Sequence, residues 1–356
     1  MVGPRPQKPS EPVGVGGLTL SAPTSRLQVA LLTAALGHLR GLLRRGADLR
    51  HLAPEAPPEE RERDAEIYLR GHWLHREPER QEGLSRRMLR NVLRELPAAR
   101  PTGRPPDVDG PRLAACVEAA VAYYRHHSAG VAEEAPYRVL KGALREFEGD
   151  LVWKFHGFRG DRVRHLRMGF YKGGGTFSED PEIERDVLPL VDLMDEVRPD
   201  AVTVALDPEG SGPDTHYKVL QAVAAAVELH QRRHPGRDLR IFGYRNVWFR
   251  FHLAEASHLV PVTAGDFAHL NDAFQACFLS QKRAEFPSPY YVGPFSHVAQ
   301  HVQAEQLAEL RRVLGPESLV QHPDLARSAG LILVKEFRVD EFKLWCRKLR
   351  AGVESV

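Results

Sequence analysis

Residues 198–227, RPDAVTVALDPEGSGPDTHYKVLQAVAAAV, decide the fold class. They begin with an apolar run, residues 201–206, that has the length and β-branched character of a buried parallel strand. A polar loop follows, and the next stretch, residues 215–233, repeats its apolar residues at helical spacing. Strand, loop and helix in this order are typical of a βαβ unit, so the segment predicts a parallel sheet with helices packed against it.

The same alternation extends over residues 157–356. Strand patterns occur at 163–168, 239–244 and 257–263, and helical patterns at 181–197, 264–281 and 297–313. The stretch LILVKEFRVDEFKLWCRKL near the end predicts a further strand and then a helix. We therefore predict an α/β protein whose core is a three-layer, Rossmann-like parallel sheet within residues 157–356.

The first part of the chain has a different pattern. Residues 1–26 are rich in proline and glycine and predict an irregular segment. The run LQVALLTA, residues 27–34, predicts one more buried strand of the core. Residues 35–156 read as helices, interrupted by a proline-rich linker at 97–111, and predict a large helical insertion.

Composition excludes several classes of function. Lysine plus arginine exceed aspartate plus glutamate by only two, which indicates neither a nucleic-acid partner nor an anionic membrane surface. No apolar run reaches the roughly 18 residues of a membrane helix. The three cysteines form no CxxC pair, so we expect no cysteine-rich zinc site and a cytoplasmic location.

The loop after residues 201–206 concentrates chemically active side chains. Asp207, Glu209, Asp214 and His216 fall within ten residues, where the strand should end and a helix begin. Ligands of open α/β sheets bind at this edge, so these residues and Thr215 predict a substrate pocket. A neutral imidazole at His216 is a competent metal ligand. In the alternative, Asp214 or Thr215 only caps the helix, and the two roles are compatible.

Tyr171 and two histidine pairs also have positions or spacings typical of site residues. Tyr171 follows the predicted strand at 163–168, and we expect it to approach the same cleft. The pairs His230 with His234 and His297 with His301 have the i, i+4 spacing that can chelate a metal. Because the chain has 17 histidines, such pairs arise by chance, and we expect neither pair to be functional on spacing alone.

Several blocks of the sequence resemble the PIG-L/LmbE-type metal-dependent de-N-acetylases. The resemblance is closest to the version attached to glucosamine-6-phosphate deaminase-like proteins. The blocks are VLKGALREFE (139–148), HLRMGFY (165–171), GPDTHYKVL (212–220) and FLSQ (278–281), with residues 27–34 matching the second strand. They span more than half of the chain.

The resemblance implies a zinc ion held by a His and an Asp of an N-terminal PHPDD motif and by a later His, which corresponds to His216. At the expected place of the first motif this chain has Gln7, Pro9 and Ser10 instead of the His and both Asp residues. Pro213 stands where the family usually has a second His in the later motif. Either the motif lies upstream of this sequence or the site has degenerated, and we expect His216 to hold zinc weakly.

The implied function is a de-N-acetylase-like hydrolase that acts on an N-acetylated amino sugar or a related amide, with a small carbohydrate as its ligand. A non-catalytic sugar-binding or regulatory protein that keeps the fold is the alternative. A role related to glucosamine-6-phosphate deaminase is a weaker one. The sequence does not identify catalytic residues, the substrate or the oligomeric state.

Overall fold

The computed structural model of the chain describes residues 21–54, 57–100, 107–127, 133–169, 179–206, 215–245, 250–282, 284, 286–287 and 291–354. Over these residues the protein is mostly helical and contains a small mixed sheet of four strands. Tyr171, Asp207, Glu209 and Asp214 lie outside the described residues, as do residues 1–20.

The first half of the described chain is helical, as its pattern predicted. Its helices are α1 (Ser21–Arg44), α2 (Pro58–Trp73), α3 (Glu77–Glu95), α4 (Gly110–His126) and α5 (Ala135–Phe155). Short 3₁₀ turns lie at Arg50–Leu52, Pro97–Ala99 and Gly160–Arg162. Helix α3 is central, because every residue from Gly83 to Leu93 is buried and the helix contacts α1, α2, α4 and α5.

The strand predicted at residues 27–34 is wrong, because these residues lie within α1. Their buried positions are Gln28, Leu31 and Leu32, and the series continues with Ala35 and Leu36. This spacing of three and four residues is the period of a helix packed on one face. In a short, continuous run of Leu, Val and Ala, periodicity alone does not distinguish a buried strand from a buried helix.

Buried charges join α2 to α3. Asp64 is fully buried, and its carboxylate accepts hydrogen bonds from Arg86 Nε at 2.8 Å and Arg90 Nε at 3.0 Å. Arg87, also buried, donates from Nη1 to Asp150 of α5 at 2.8 Å. Buried charges persist only when they are paired and hydrogen-bonded, so these contacts fix α3 against its neighbours.

The strands of the second half are β1 (Ala201–Ala205), β2 (Arg240–Tyr244), β3 (His258–Val262), β4 (Phe286–Pro287), β5 (Val292–Gly293) and β6 (Gly330–Arg338). The main sheet has the order β1-β2-β6-β3, and β4 pairs with β5 in a separate small hairpin. β1 and β2 are parallel, as predicted, and β6 runs antiparallel to both β2 and β3. The predicted all-parallel sheet is therefore wrong, and the sheet is mixed.

Helices pack on the sheet and around it. They are α6 (Leu188–Val197), α7 (Thr215–Arg233), α8 (Ala264–Cys277), α9 (Phe295–Leu314), α10 (Pro316–Val320), α11 (Pro323–Ala326) and α12 (Val339–Glu354), with a π turn at Ile183–Val187 and a 3₁₀ turn at Leu253–Glu255. The core between α6, α7, α12 and the strands includes Val191, Leu220, Ile241, Leu333 and Phe342.

The two faces of the sheet differ in burial. Val204, Ile241 and Leu333 point to the packed face and are buried. Side chains that alternate with them are more exposed, including Tyr244 at 44% and Val260 at 44%. Alternate residues of a strand point to opposite faces, so the described helices cover mainly one face of the sheet.

The strand predicted at 163–168 is also wrong, since these residues form neither helix nor strand. Side chains of this segment are instead held by the helices of the first half. His165 Nε2 lies 2.8 Å from Asp150 Oδ1, and Arg167, at φ +50°, forms ion pairs with Glu95 and Glu146. A positive φ at a non-glycine residue interrupts the extended conformation that a strand requires.

Other contacts link the α1–α5 helices to α8 and the turn after it. Tyr68 Oη donates to the carbonyl of Ala276 at 2.8 Å. Ser280 Oγ donates to Glu148 of α5 at 2.9 Å.

The described helices include none whose length and hydropathy suit it to cross a bilayer. The division at residues 35–156 and 157–356 stays a prediction.

Candidate functional site

The β1–α7 unit forms the candidate site at the carboxyl edge of β1 and β2. β1 ends at Ala205, and the backbone N–H of the buried Leu206 donates to the carbonyl of Tyr244 at 2.8 Å, which continues the pairing by one residue. α7 begins at Thr215, as predicted, and packs on β1. Residues 207–214 therefore connect the carboxyl end of a parallel strand to the N-terminus of a helix, which is the ligand-binding position of open α/β sheets.

Two of the six predicted site residues are described. Thr215 and His216 occupy the first turn of α7 and are both partly buried, so His216 is not a core residue. Tyr171, Asp207, Glu209 and Asp214 fall outside the described part of the chain. Their convergence on one cleft with His216 stays a prediction.

A charged pair that involves the same helical turn as His216 was not predicted from the sequence. Lys218, in the same turn of α7, forms an ion pair with Asp180, which precedes the π turn. The hydrogen bond from Lys218 holds the pKa of Asp180 below its ordinary value. Lys218 is largely buried, with 14% of its side chain exposed, whereas Asp180 is 85% exposed. The pair places the chain before α6 at the N-terminal end of α7.

Among the described residues, the donors around His216 do not complete the zinc site implied by the resemblance. Within the described residues, no set of three His, Cys, Asp or Glu ligand atoms includes His216. Catalytic zinc normally has three protein ligands, so His216 by itself does not meet this requirement.

Three side chains that can hold a metal lie at the opposite end of α7. They are Asp195 in the last turns of α6, His230 in α7 and His234 just after α7. His230 Nδ1 lies 2.7 Å and His234 Nε2 lies 3.0 Å from the same oxygen, Oδ1 of Asp195. The two imidazole centroids are 4.7 Å apart. The two histidines are one of the i, i+4 pairs seen in the sequence, and Asp195 was missed.

The environment of this group is asymmetric. His230 is 1% exposed, and its Nε2 has no hydrogen-bond partner among the described residues. His234 and Asp195 are partly exposed. Arg233 Nη1 donates to the second carboxylate oxygen, Oδ2 of Asp195, at 2.7 Å. This bond, together with those to the two histidines, lowers the pKa of Asp195 to about 2, so the carboxylate is ionised at neutral pH.

The two ends of α7 are too far apart for one ion to contact both. His216 and His230 are separated along α7 by a distance of about 21 Å at roughly 1.5 Å per residue. α6 and α7 both end shortly before a strand begins, so Asp195 and the histidines lie at the amino edge of β1 and β2. The site predicted at His216 and the histidine–aspartate group are therefore separate.

No family model, curated protein or solved structure matches the chain.

Two of the blocks that carry the resemblance are in direct contact. The backbone N–H and Oγ of Ser280, in FLSQ, donate to Glu148, the last residue of VLKGALREFE, at 2.5 and 2.9 Å. Glu148 is 2% exposed, and burial raises the pKa of its carboxyl group. The contact joins the turn after α8 to α5, so these blocks pack together as structural elements.

The remaining histidine pair, on α9, has different partners. His297 Nδ1 lies 3.3 Å from Tyr291 Oη, and His301 Nε2 lies 3.2 Å from Glu305. No third ligand joins either histidine in a compact group of three over the described ranges. The geometry of this pair gives no reason to assign it a metal.

Proposed function

We propose that the protein is a de-N-acetylase-like hydrolase whose ligand, a small amino sugar derivative, binds at the carboxyl edge of β1 and β2. The observation that carries the proposal is the β1–α7 unit, because it joins a parallel strand, in which Val204 is buried, to a helix whose first turn contains Thr215 and His216. This is the edge at which α/β proteins bind ligands. The resemblance of residues 212–220 to the later histidine motif of the de-N-acetylases supports the assignment.

The reaction would convert an N-acetylated amine and water into the free amine and acetate. Water attacks the amide carbonyl, the C–N bond breaks, and the leaving nitrogen takes up a proton. Within the proposal, Asp207, Glu209, Asp214, Thr215 and Tyr171 line the pocket and His216 is the metal ligand. Because Gln7, Pro9 and Ser10 replace the first motif, we expect weak zinc binding at His216 and slow turnover in this chain.

We also propose that the core is a Rossmann-like, three-layer fold. A Rossmann-like, three-layer core needs a second helical layer over the sheet face that carries Tyr244 and Val260, both partly exposed among the described residues. We also propose a cytoplasmic location, which the three free cysteines favour.

The incomplete ligand set favours a second candidate, a sugar-binding protein without catalysis. Both candidates place the ligand beside His216, and they differ in turnover. Binding without hydrolysis would support the second candidate, and hydrolysis that depends on His216 would support the first.

The test combines binding and turnover in the full chain. Binding of glucosamine and N-acetylglucosamine is followed by calorimetry, and acetate release is followed with N-acetylglucosamine. The variant is His216→Ala, and the matched control is His322→Ala, which removes an exposed histidine before α11. We expect loss of binding in the first variant only. No binding of either sugar, or equal binding by His216→Ala and the native chain, would reject the proposal.

A further inference from the structure

We propose that Asp195, His230 and His234 form a binding site for a divalent transition-metal ion of the zinc class. The site would join the end of α6 to the end of α7. It does not depend on the proposed function, because it lies about 21 Å from His216 along α7. Open α/β sheets bind substrates at the carboxyl edge, so a metal at the amino edge would have a structural or regulatory role.

The donor set fits this class of metal. Two imidazole nitrogens and one carboxylate oxygen form a donor set that zinc sites use, whereas calcium and magnesium favour sites made only of oxygen atoms. One ligand atom from each residue lies within 4.8 Å of the other two. His230 and His234 are one helical turn apart, so their side chains emerge on the same side near the end of α7.

The distances are close to those of a coordinated ion. His230 Nδ1 and His234 Nε2 lie 2.7 and 3.0 Å from Asp195 Oδ1. Tetrahedral zinc with ligand distances of about 2.1 Å separates its ligand atoms by roughly 3.4 Å. The nitrogens would therefore need to move away from the oxygen by about 0.4 to 0.7 Å while the metal replaces the protons on these two nitrogens.

Burial fixes the central ligand. His230 is 1% exposed, so its ring cannot turn to solvent, and its Nδ1 points at the Asp195 carboxylate. The other ring nitrogen, Nε2, has no hydrogen-bond partner among the described residues, and it would carry the ring proton when Nδ1 binds a metal. The partial exposure of His234 and Asp195 gives an ion a path from solvent and room for a water ligand.

Arg233 is the group that opposes a cation. Its guanidinium donates to Oδ2 of Asp195 at 2.7 Å and lies 3.8 Å from Asp192 Oδ1. The bond to Oδ2 leaves Oδ1, the oxygen that faces both histidines, for the metal. Because like charges repel, removing the guanidinium should strengthen metal binding. If Asp195, His230 and His234 only formed hydrogen bonds between the ends of α6 and α7, removing the Arg233 guanidinium would not strengthen metal binding.

The experiment uses the full chain, freed of metal by a chelator, dialysed and titrated with Zn²⁺. The first variants are His234→Ala and Asp195→Asn, which alter partly exposed residues. The matched control is His322→Ala, and His216→Ala is measured in parallel to separate this site from the proposed hydrolase site. We expect one tightly bound zinc per chain, with affinity weakened by roughly tenfold or more in both site variants and unchanged in His322→Ala. Visible absorption of bound Co²⁺ should disappear with His234→Ala.

A further variant, Arg233→Gln, separates a metal site from a purely structural cluster. It should bind Zn²⁺ at least about threefold more tightly than the native chain. Absence of zinc binding, or binding that survives His234→Ala, would overturn the inference. Zinc lost only in His216→Ala would also overturn it while favouring the proposed hydrolase, so the two proposals fail separately.

Discussion

Asp64 is the carboxylate at which three arginines of α3 meet, and its replacement by alanine tests how the helical part is held together. The side chain is fully buried and lies 2.8 Å from Arg86 Nε, 3.0 Å from Arg90 Nε and 3.7 Å from Arg87 Nε. We expect Asp64→Ala to destabilise the protein strongly, because it leaves buried positive charge without its partner.

The magnitude follows from the partners that remain. Arg86 keeps Glu60 at 2.8 Å, and Arg87 keeps Asp150 at 2.8 Å. Arg90 keeps only the carbonyls of Ala53 and Glu60, at 3.3 and 3.4 Å. One guanidinium is thus left without a carboxylate among the described residues. Breaking a buried pair on one side costs about 3–5 kcal/mol, a large part of a typical unfolding free energy of about 5–15 kcal/mol.

Urea unfolding followed by circular dichroism measures this loss. The matched control is Glu118→Ala, which breaks the exposed ion pair with Arg40 and should cost less than about 1 kcal/mol. The double variant Asp64→Ala with Arg90→Met should be more stable than Asp64→Ala alone, since it also removes the unpaired charge. An unfolding free energy of Asp64→Ala within about 1 kcal/mol of the native chain would refute the reasoning.

Three further predictions concern other buried groups. Burial raises the pKa of Glu148, so its contribution to stability is full below the ordinary value of 4.5 and is lost as pH rises through the folded-state pKa. Relative to the native chain, Glu148→Gln should therefore gain unfolding free energy as pH rises above 4.5. A difference that stays constant with pH would contradict this. Gly243→Ala would place a Cβ 2.2 Å from Leu206 Cδ1, at the start of the candidate site, and should cost roughly 1–3 kcal/mol in thermal unfolding. Burial raises the pKa of Cys346 to about 12, so a thiol reagent should label Cys116, which is partly exposed, well before Cys346; equal rates would exclude this order.

The β1–α7 unit was predictable because its strand is short, apolar and bounded by polar residues, and its helix has a clear period. The run at residues 27–34 looked similar, but it continues into the periodic Leu36 and Leu39 and belongs to α1. The antiparallel direction of β6 was not predictable, because a strand pattern contains no information on direction. These differences arise from tertiary pairing that the local sequence does not encode.

The candidate sites show the same limit. His216 was predicted in the first turn of a helix and is found there. The spacing of His230 and His234 was visible, but it gave no reason to prefer them over other pairs. Asp195 looked like an ordinary polar residue of a helix, and only the packing of α6 on α7 brings it to the histidines. The spacing of two ligands along one helix does not reveal a third ligand that comes from another helix.

The central position of β6 in the sheet affects how the chain folds while the ribosome synthesises it. β2 ends at Tyr244, and its antiparallel neighbour β6 begins at Gly330. At synthesis rates of roughly 5–20 residues per second, β2 emerges several seconds before β6, and one of its edges has no partner during that time. The α1–α5 helices, whose contacts are more local, can form earlier. A nascent chain with an open strand edge is prone to pair with other chains, so slow translation between β2 and β6 should increase its dependence on chaperones.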